Sequence, residues 1–149
     1  MTEPNPSAKP FAQQSAQPFS WPVRVYYEDT DAAGVVYYAN YLRYFERART
    51  EWLRAAGFEQ TDLATQFGIV FVVRSINVEY LLPARFNDAL SIYVELGSVG
   101  ASQIILKQRV LHENSSLLVE ATVRLACVNM VAMKAVRIPK SLSAALTKK

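Results

Sequence analysis

The chain has 149 residues, 51% of them hydrophobic and 19% charged, which is typical of one globular domain and excludes a disordered chain. Its formal net charge is +3, and the basic residues stand singly, which argues against nucleic acid as a partner. No apolar run approaches the roughly 18 residues that a membrane span requires. The N-terminus lacks the apolar core of a signal peptide, and one cysteine cannot form an internal disulfide. Together these features predict a cytoplasmic protein without a membrane span.

The first residues differ in composition from the rest of the chain. Residues 1–20 are rich in Pro, Ser, Gln and Ala, and such a segment buries too little apolar surface to offset the entropy lost on ordering. We therefore predict a flexible tail over residues 1–20, a folded domain over residues 21–142 and a C-terminal end over residues 143–149. The segment KSLSAALTKK after Pro139 is predicted to form a short helix.

The ordered part is predicted to begin with a strand and a long helix. In WPVRVYY, starting at Trp21, apolar and polar residues alternate as in a strand. After the acidic loop EDTDAAG, a helix is predicted from about Ala39 to Ala56, with Gly57 as its stop. Its apolar face is expected to contain Tyr41, Phe45, Ala48, Trp52 and Ala55, which recur at helical spacing. On the opposite, polar face, Glu46 and Arg49 are expected to pair.

The remainder alternates in the manner of strands. The four segments are RSINVEYL, LSIYVEL, QIILKQRVL and LLVEATVRLACVNM. Gly97 and Gly100 are expected to bracket one turn, and HENSS to form another. Long alternating strands joined by short turns predict an antiparallel meander, so that one helix packs on one curved sheet in an α+β fold. The outer face of that sheet would need a cover, which a second copy of the chain could supply.

Several common catalytic sites are excluded by residue counts. His112 is the only histidine, in a predicted exposed turn, and no motif places a serine or cysteine beside it. The single cysteine, Cys127, lies in an apolar alternating segment, which favours a buried structural thiol. One histidine and one cysteine do not suffice for a zinc site, and no glycine-rich phosphate loop is present.

Three interpretations remain open for the acids Glu28, Asp29 and Asp31. They can be solvated residues that favour the positive end of the following helix. An Asp-x-Asp pair can also bind a divalent metal with phosphate groups, although the phosphatases that use it need a parallel sheet. The third interpretation is a catalytic carboxylate that faces the helix start. There, free backbone N–H groups would polarise a thioester carbonyl, while the carboxylate attacks its carbon or deprotonates water.

The sequence resembles a known family in three segments. These are RVYYEDTDAAGVVYYANYLRYFERARTEWLRAAGF, FVVRSINVEYLLPARFNDAL and VNMVAMKAVRIPKSL. They closely resemble hotdog-fold acyl-CoA thioesterases, above all the Tol–Pal-associated branch (the YbgC type) of the 4-hydroxybenzoyl-CoA thioesterase family. The resemblance covers about residues 21–142. It implies a five-stranded antiparallel sheet wrapped around one long central helix, a homodimer or homotetramer with active sites at the interface, an acyl-CoA substrate, and no metal or organic cofactor.

The resemblance also implies roles for individual residues. Asp31, the second aspartate of Asp-Thr-Asp, matches the catalytic carboxylate, as nucleophile or general base. Tyr27 matches a tyrosine beside the site, although a strand aromatic filling the core is the alternative. Tyr38 stands where many members of the branch have histidine, and its backbone N–H is expected to serve as an oxyanion donor with either side chain. Candidates for contacts to CoA phosphates are Arg43, Arg47, Arg74 and Arg85.

The expected function is hydrolysis of an acyl-CoA thioester to free acid and CoA. The alternative is a non-catalytic protein that binds acyl-CoA or acyl carrier protein and acts as a scaffold at the cytoplasmic face of the envelope. The departure at Tyr38 motivates the binding role, and the operon association common in this branch motivates the scaffold role.

Overall fold

The structure is a computed structural model that describes residues 18–147. Residues 1–17 of the predicted tail therefore lie outside the described residues. The first strand, β1 (Phe19–Arg24), begins two residues before the predicted start at Trp21. After it, a single 3₁₀ turn at Tyr27–Asp29 leads into the acidic loop.

The long helix, α1 (Asn40–Ala55), lies within one residue of its predicted bounds at each end. Its C-terminus is a Schellman motif, in which Phe58 N donates to Leu53 O at 2.9 Å and Gly57 N donates to Arg54 O at 3.0 Å. Gly57 has a φ of +97°, a conformation that side chains with a Cβ rarely adopt. The predicted stop at Gly57 therefore has a backbone cause.

The buried face of α1 differs from the prediction in its last two turns. Tyr41, Phe45 and Ala48 are buried as predicted, but Trp52 is only half-buried and Ala55 is exposed, whereas Leu53 is buried. The segment after the helix folds back onto these turns, where Gln60 Nε2 donates to Thr50 Oγ1 at 3.1 Å. Burial there therefore includes a side of the helix that the sheet does not cover.

The other elements form one antiparallel sheet and two short helical segments. The strands are β2 (Ile69–Tyr80), β3 (Ala89–Val99), β4 (Gln103–His112) and β5 (Leu117–Asn129), in the order β1-β3-β4-β5-β2. A short helix α2 (Gln60–Asp62) runs into a π-helical turn (Leu63–Phe67), and α3 (Lys140–Thr147) ends the described chain. The apolar inner face of the sheet packs on α1, which confirms the predicted α+β architecture.

The outer face of the sheet corrects a prediction. In the middle of β4 and β5, the inward positions are apolar except for Gln108, and the outward positions are mostly polar. The outward polar residues include Lys107, Arg109, Glu120, Thr122 and Arg124. The centre of this face can therefore stay in contact with water, so this part of the face does not require the predicted cover.

Gly97 also differs from its predicted position in a turn. It lies inside β3, where the pairing with β4 shifts by one residue between Leu96 and Ser98. A Cβ on Gly97 would lie 2.9 Å from Ile105 O, so this bulge has no room for a side chain. The turn itself begins at Gly100, whose N–H donates to Gln103 O at 2.7 Å.

Arg49 does not lie on a solvated helix face as predicted. Its Nη1 donates to Oε1 of Gln108 at 3.0 Å, and the buried Gln108 donates from Nε2 to Phe45 O at 3.2 Å. Burial lowers the pKa of Arg49, and the charge of Glu46 opposes that shift. Within residues 18–147, Glu46 and Arg49 form no ion pair within 4 Å, so the predicted pair is wrong; Arg54 pairs with Glu51 at 2.6 Å instead.

Candidate active site

The acidic loop folds back on itself between the 3₁₀ turn and α1. Asp31 N donates to Val35 O at 2.9 Å, and Gly34 N donates to Asp31 O at 3.0 Å. Gly34 has a φ of +81°, which a residue with a Cβ would adopt only with strain. Tyr37 N donates to Asp29 O at 2.9 Å, which closes the loop at the start of the helix.

The segment between β2 and β3 supports this loop. Val36 N donates to Ala84 O at 2.8 Å, and Val35 pairs with Arg85 as an isolated bridge. Ala84 is buried, and its N–H donates to the hydroxyl of Tyr41 on α1 at 3.0 Å. The loop is therefore bound to both the helix and the sheet, which fixes the backbone at Asp31.

Asp29 is a buried carboxylate that joins three segments of the chain. Oδ2 accepts a hydrogen bond from Tyr26 N at 2.8 Å, and Oδ1 accepts one from Asn40 Nδ2 at 2.8 Å. Only 6% of Asp29 is exposed, and it has no cationic partner within 4 Å among residues 18–147. Through these contacts Asp29 shapes the loop and the start of the helix.

The Tyr44 hydroxyl lies buried in the same network. It makes no hydrogen bond of good geometry within the described part of the chain. Burial, and then the neighbouring Asp29 carboxylate, raise the pKa of Tyr44, while Asn40 opposes the shift. Asp29 therefore has a neutral phenol beside it and no counter-ion.

Asp31 has the opposite environment from Asp29. Its side chain is exposed, and Oδ1 accepts one hydrogen bond from Ala33 N at 2.9 Å. No donor within residues 18–147 contacts Oδ2. Glu28 is also exposed, but it has no hydrogen bond in this part of the chain and lies on the 3₁₀ turn, before the folded-back loop. Only Asp31 is both accessible and held by the loop.

The start of α1 leaves backbone donors unused. Its N-cap residue, Ala39, has no side chain that could accept a hydrogen bond. Among the hydrogen bonds of residues 18–147, the N–H groups of Tyr37 and Asn40 have acceptors, but those of Tyr38 and Ala39 have none. Two adjacent N–H groups next to the loop of Asp31 are therefore available to an oxyanion.

An uncharged cleft of about 260 Å³ opens beside these donors. It is lined by Val36, Tyr38, Tyr41, Tyr80, Leu81, Leu82 and Pro83. Tyr38 is exposed and meets the Tyr80 ring edge-on at 6.1 Å between centroids, and the Tyr80 hydroxyl donates to Tyr38 O at 3.3 Å. Tyr38 thus forms part of a wall that would contact an apolar group.

Tyr27 lies on the 3₁₀ turn before the loop, outside the core. It is 79% exposed and stacks on Phe86, with ring centroids 4.7 Å apart and ring planes inclined by 23°. The alternative that Tyr27 fills the core is therefore wrong. No hydrogen bond links its side chain to Asp31 within the described residues.

The four candidate arginines are exposed, and none has a carboxylate within 4 Å among residues 18–147. Arg85 lies next to the acidic loop through its backbone pairing with Val35. Arg47 lies over the Tyr44 ring, 5.7 Å from its centroid. Arg43 lines a larger cleft of about 360 Å³ between α1 and the β2 edge, which contains no residue of the acidic loop.

His112 and Cys127 lie outside the candidate site. His112 ends β4 instead of occupying an exposed turn, and it is half-buried, with Nε2 at 3.4 Å from Asp88 Oδ1. Cys127 is fully buried in β5, as predicted, and burial raises the pKa of its thiol. No helix within residues 18–147 is long and apolar enough to cross a membrane.

Comparison with known proteins identifies the family. The profile of the thioesterase-like superfamily matches residues 25–146. The chain belongs to this superfamily. The predicted resemblance, the hotdog fold and the prediction that the chain is an enzyme, a thioesterase, are thereby confirmed.

Individual relatives agree with this assignment. The chain is 46% identical over 127 residues to the acyl-CoA thioesterase YbgC of Haemophilus influenzae, covering 85% of this chain and 93% of the relative. It is 48% identical over 126 residues to the acyl-CoA thioester hydrolase YbgC of Escherichia coli O6:H1, with the same coverage. A probable thioesterase from Bartonella henselae has a TM-score of 0.77 and 37% identity, covering 82% of this chain and 99% of that chain.

Sequence reasoning missed some residues around the loop. Helical spacing does not single out Asn40 or Tyr44, which contact Asp29, because neither residue belongs to the predicted apolar face of the helix. Sequence reasoning also missed Phe86, the ring partner of Tyr27, because 59 positions separate the two in the sequence. An isolated aromatic between charged residues in PARFND was the only local signal.

Proposed function

We propose that this protein hydrolyses an acyl-CoA thioester to a free acid and CoA, with Asp31 as the catalytic carboxylate. The observation that carries the proposal is the combination of the exposed Asp31 carboxylate with two unused backbone N–H groups, at Tyr38 and Ala39, across one short loop. Similarity to proteins named acyl-CoA thioesterase supports the substrate class.

The chemistry requires few groups. The thioester oxygen would accept hydrogen bonds from the N–H groups of Tyr38 and Ala39, which stabilise the negative charge that develops on it. Asp31 either takes a proton from water as the water oxygen attacks the carbonyl carbon, or attacks that carbon itself and forms an anhydride that water then opens. The carbon–sulfur bond breaks, and CoA leaves as a thiolate that needs little help from an acid.

The choice of Asp31 among the three acids rests on access. Both oxygens of Asp29 accept hydrogen bonds, and its burial keeps a substrate away. Glu28 is exposed but is not part of the loop that lies against the helix start. Asp31 keeps one oxygen without a donor from the described chain, and this oxygen is the one that would act on water or on the carbonyl carbon.

We further propose that two copies of the chain form the working enzyme. β1 and β2 are the two edges of the sheet, but β1 contains Pro22, which cannot donate to a neighbouring strand. β2 has 12 residues and no proline, so a second copy could add to it by antiparallel pairing about a two-fold axis. Because Asp31 is exposed in one chain, a partner would also help to shield the site from bulk solvent while leaving room for the water that reacts.

A panel of acyl-CoAs tests the activity, and a thiol reagent detects the free CoA that is released. We expect release from at least one acyl-CoA, a loss on the order of 10²-fold or more in Asp31→Asn, and no such loss in Glu28→Gln. Binding of acyl-CoA without any release would instead support the non-catalytic binding protein. Release that EDTA abolishes would favour the metal interpretation.

Size in solution tests the assembly. Light scattering with size-exclusion chromatography is expected to give the mass of a homodimer or a homotetramer. A fully active monomer would contradict a site completed by a second copy. A cytoplasmic location is a proposal that rests on the sequence features described first, whereas a link to the Tol–Pal system and acyl carrier protein as a partner are proposals that rest on the resemblance. Cell fractionation and pull-down with the tagged full chain test them.

A further inference from the structure

Two surfaces near the Asp31 loop differ in charge. One is the uncharged cleft that contains Tyr38 and Tyr80. The other is an exposed surface that we call the aromatic platform, formed by Tyr27, Phe86, Arg24 and Arg85. A thioester bound at Asp31 could therefore place one end on an apolar surface and the other end on a cationic aromatic surface.

The platform is an aromatic stack that faces solvent. Tyr27 is 79% and Phe86 is 48% exposed, so the pair leaves ring surface available for further stacking. Its backbone is fixed, because Tyr27 O accepts hydrogen bonds from Thr30 N at 3.1 Å and Thr30 Oγ1 at 2.8 Å. Beyond Phe86, Asn87 N donates to Val25 O at 2.9 Å. The backbone on both sides of the ring pair is therefore held in place, so the stacked rings form a preformed surface.

Two exposed arginines neighbour the residues that carry these rings. Arg24 Nη1 donates to Asn87 O at 2.8 Å, which holds its charge beside the residue that follows Phe86. Arg85 precedes Phe86, and its backbone is fixed by Asp88 Oδ2, which accepts from Arg85 N at 2.9 Å. Within residues 18–147 neither guanidinium has a carboxylate within 4 Å, although the exposed Glu28 lies next to Tyr27.

We infer that the aromatic platform binds the adenine nucleotide end of CoA. This inference rests on the proposed function, since it concerns the carrier of the same substrate. Bases stack on exposed aromatic rings, and guanidinium groups match phosphate oxygens in pairs. CoA carries an adenine and three phosphate groups, whereas pantetheine and carrier proteins present the same thiol arm without the adenine. The platform therefore selects CoA over these other carriers, and the uncharged cleft faces the acyl end.

The test compares one acyl group on three carriers: CoA, 3′-dephospho-CoA and pantetheine. For the full-length protein we expect kcat/KM to be about tenfold or more higher with CoA than with pantetheine. In Phe86→Ala, and in Arg24→Gln combined with Arg85→Gln, that ratio should fall towards one, mainly through a higher KM for the CoA ester. Arg124→Gln, which removes an equally exposed arginine from the outer face of the sheet, is the matched control and should keep the ratio.

Direct binding separates this inference from the proposed function. Calorimetry measures the binding of CoA and of adenosine 3′,5′-bisphosphate without turnover. Phe86→Ala should lower the affinity for each of these nucleotides by about tenfold. If Phe86→Ala weakens nucleotide binding but the wild type hydrolyses no thioester, the proposed function fails and the platform stands. Active variants whose carrier ratio and CoA affinity match those of the wild type would overturn the platform. Failure of the wild type to bind either nucleotide would overturn it as well.

Discussion

Asp29 and Asp31 are two residues apart in the chain and have opposite environments. Asp29 is buried, and each of its oxygens accepts a hydrogen bond, one from Tyr26 at the start of its own turn and one from Asn40 on the helix. Asp31 is exposed, and its only side-chain hydrogen bond in the described chain comes from Ala33, within its own loop. A single residue, Thr30, separates the two environments.

This difference shows how one short segment can combine rigidity with reactivity. Burial of a carboxylate is favourable only when donors satisfy it, and Asp29 meets that condition by binding the strand end and the helix start together. Asp31 depends on that anchor for its position but keeps an oxygen available. We propose that Asp29 determines where the loop lies and that Asp31 performs the chemistry.

Removing the anchor should have the largest effect on stability. Asp29→Ala leaves the Tyr26 N–H and the Asn40 side-chain amide without an acceptor, which should lower the free energy of unfolding by about 3 kcal/mol. Urea denaturation measures this loss. Glu28→Ala, with no hydrogen bond to lose, is the control and should change stability by less than about 0.5 kcal/mol. Equal effects of the two substitutions would refute the distinction between them.

The cleft wall should matter less than the catalytic loop. Tyr38→Ala removes ring surface beside the proposed oxyanion donors but keeps their N–H groups, so kcat/KM should fall by about tenfold. Tyr38→Phe keeps the ring and the carbonyl that accepts from Tyr80, and it should remain close to the wild type. Steady-state kinetics with one acyl-CoA measures both. A hundredfold loss in Tyr38→Phe would show that the hydroxyl itself takes part in the reaction.

Substitution of Tyr44 tests whether its hydroxyl donates a third hydrogen bond to the Asp29 carboxylate. Because the buried Tyr44 hydroxyl has no hydrogen bond of good geometry, Tyr44→Phe should raise the free energy of unfolding by up to about 1 kcal/mol. The change is measured by urea denaturation at neutral pH. A loss of 1 kcal/mol or more would mean that this hydroxyl donates to Asp29 and forms a third contact of the anchor.

Cys127 should give the smallest effect, which depends on pH. Burial raises the pKa of its thiol, so the folded state favours the protonated form more than the unfolded chain does. Its stabilising contribution is fully present below the ordinary thiol pKa of about 8.5 and is lost as pH rises through the folded-state pKa. The free energy of unfolding of the wild type should therefore fall more steeply above pH 8.5 than that of Cys127→Ala. Parallel pH profiles would contradict a burial effect on this thiol.

Much of the fold could be predicted because it depends on local patterns. Alternation predicted the strands, and helical spacing with Gly57 predicted the bounds of α1. The errors occur where distant segments decide the outcome. Helical spacing puts Arg49 on the polar face of α1, but its guanidinium contacts the buried Gln108 on β4. The last turns of α1 are covered by the segment that follows the helix.

The candidate site was predictable in part. The motif singled out Asp31, but no local pattern distinguishes a buried aspartate from an exposed one two residues away. That distinction depends on Asn40, 11 positions from Asp29, and on the 3₁₀ turn that directs Asp29 inward. The stack of Tyr27 on Phe86 likewise depends on the connection between β2 and β3 packing against the residues after β1, which sequence spacing does not reveal.

The most direct test of the account measures turnover and unfolding in the same preparation of Asp31→Asn. We predict that kcat for the best acyl-CoA falls on the order of 10²-fold or more, while the urea midpoint stays within error of the wild type. This result would place Asp31 in the chemistry and not in the scaffold. Activity within tenfold of the wild type, or a loss that is matched by unfolding of the protein, would contradict the central claim.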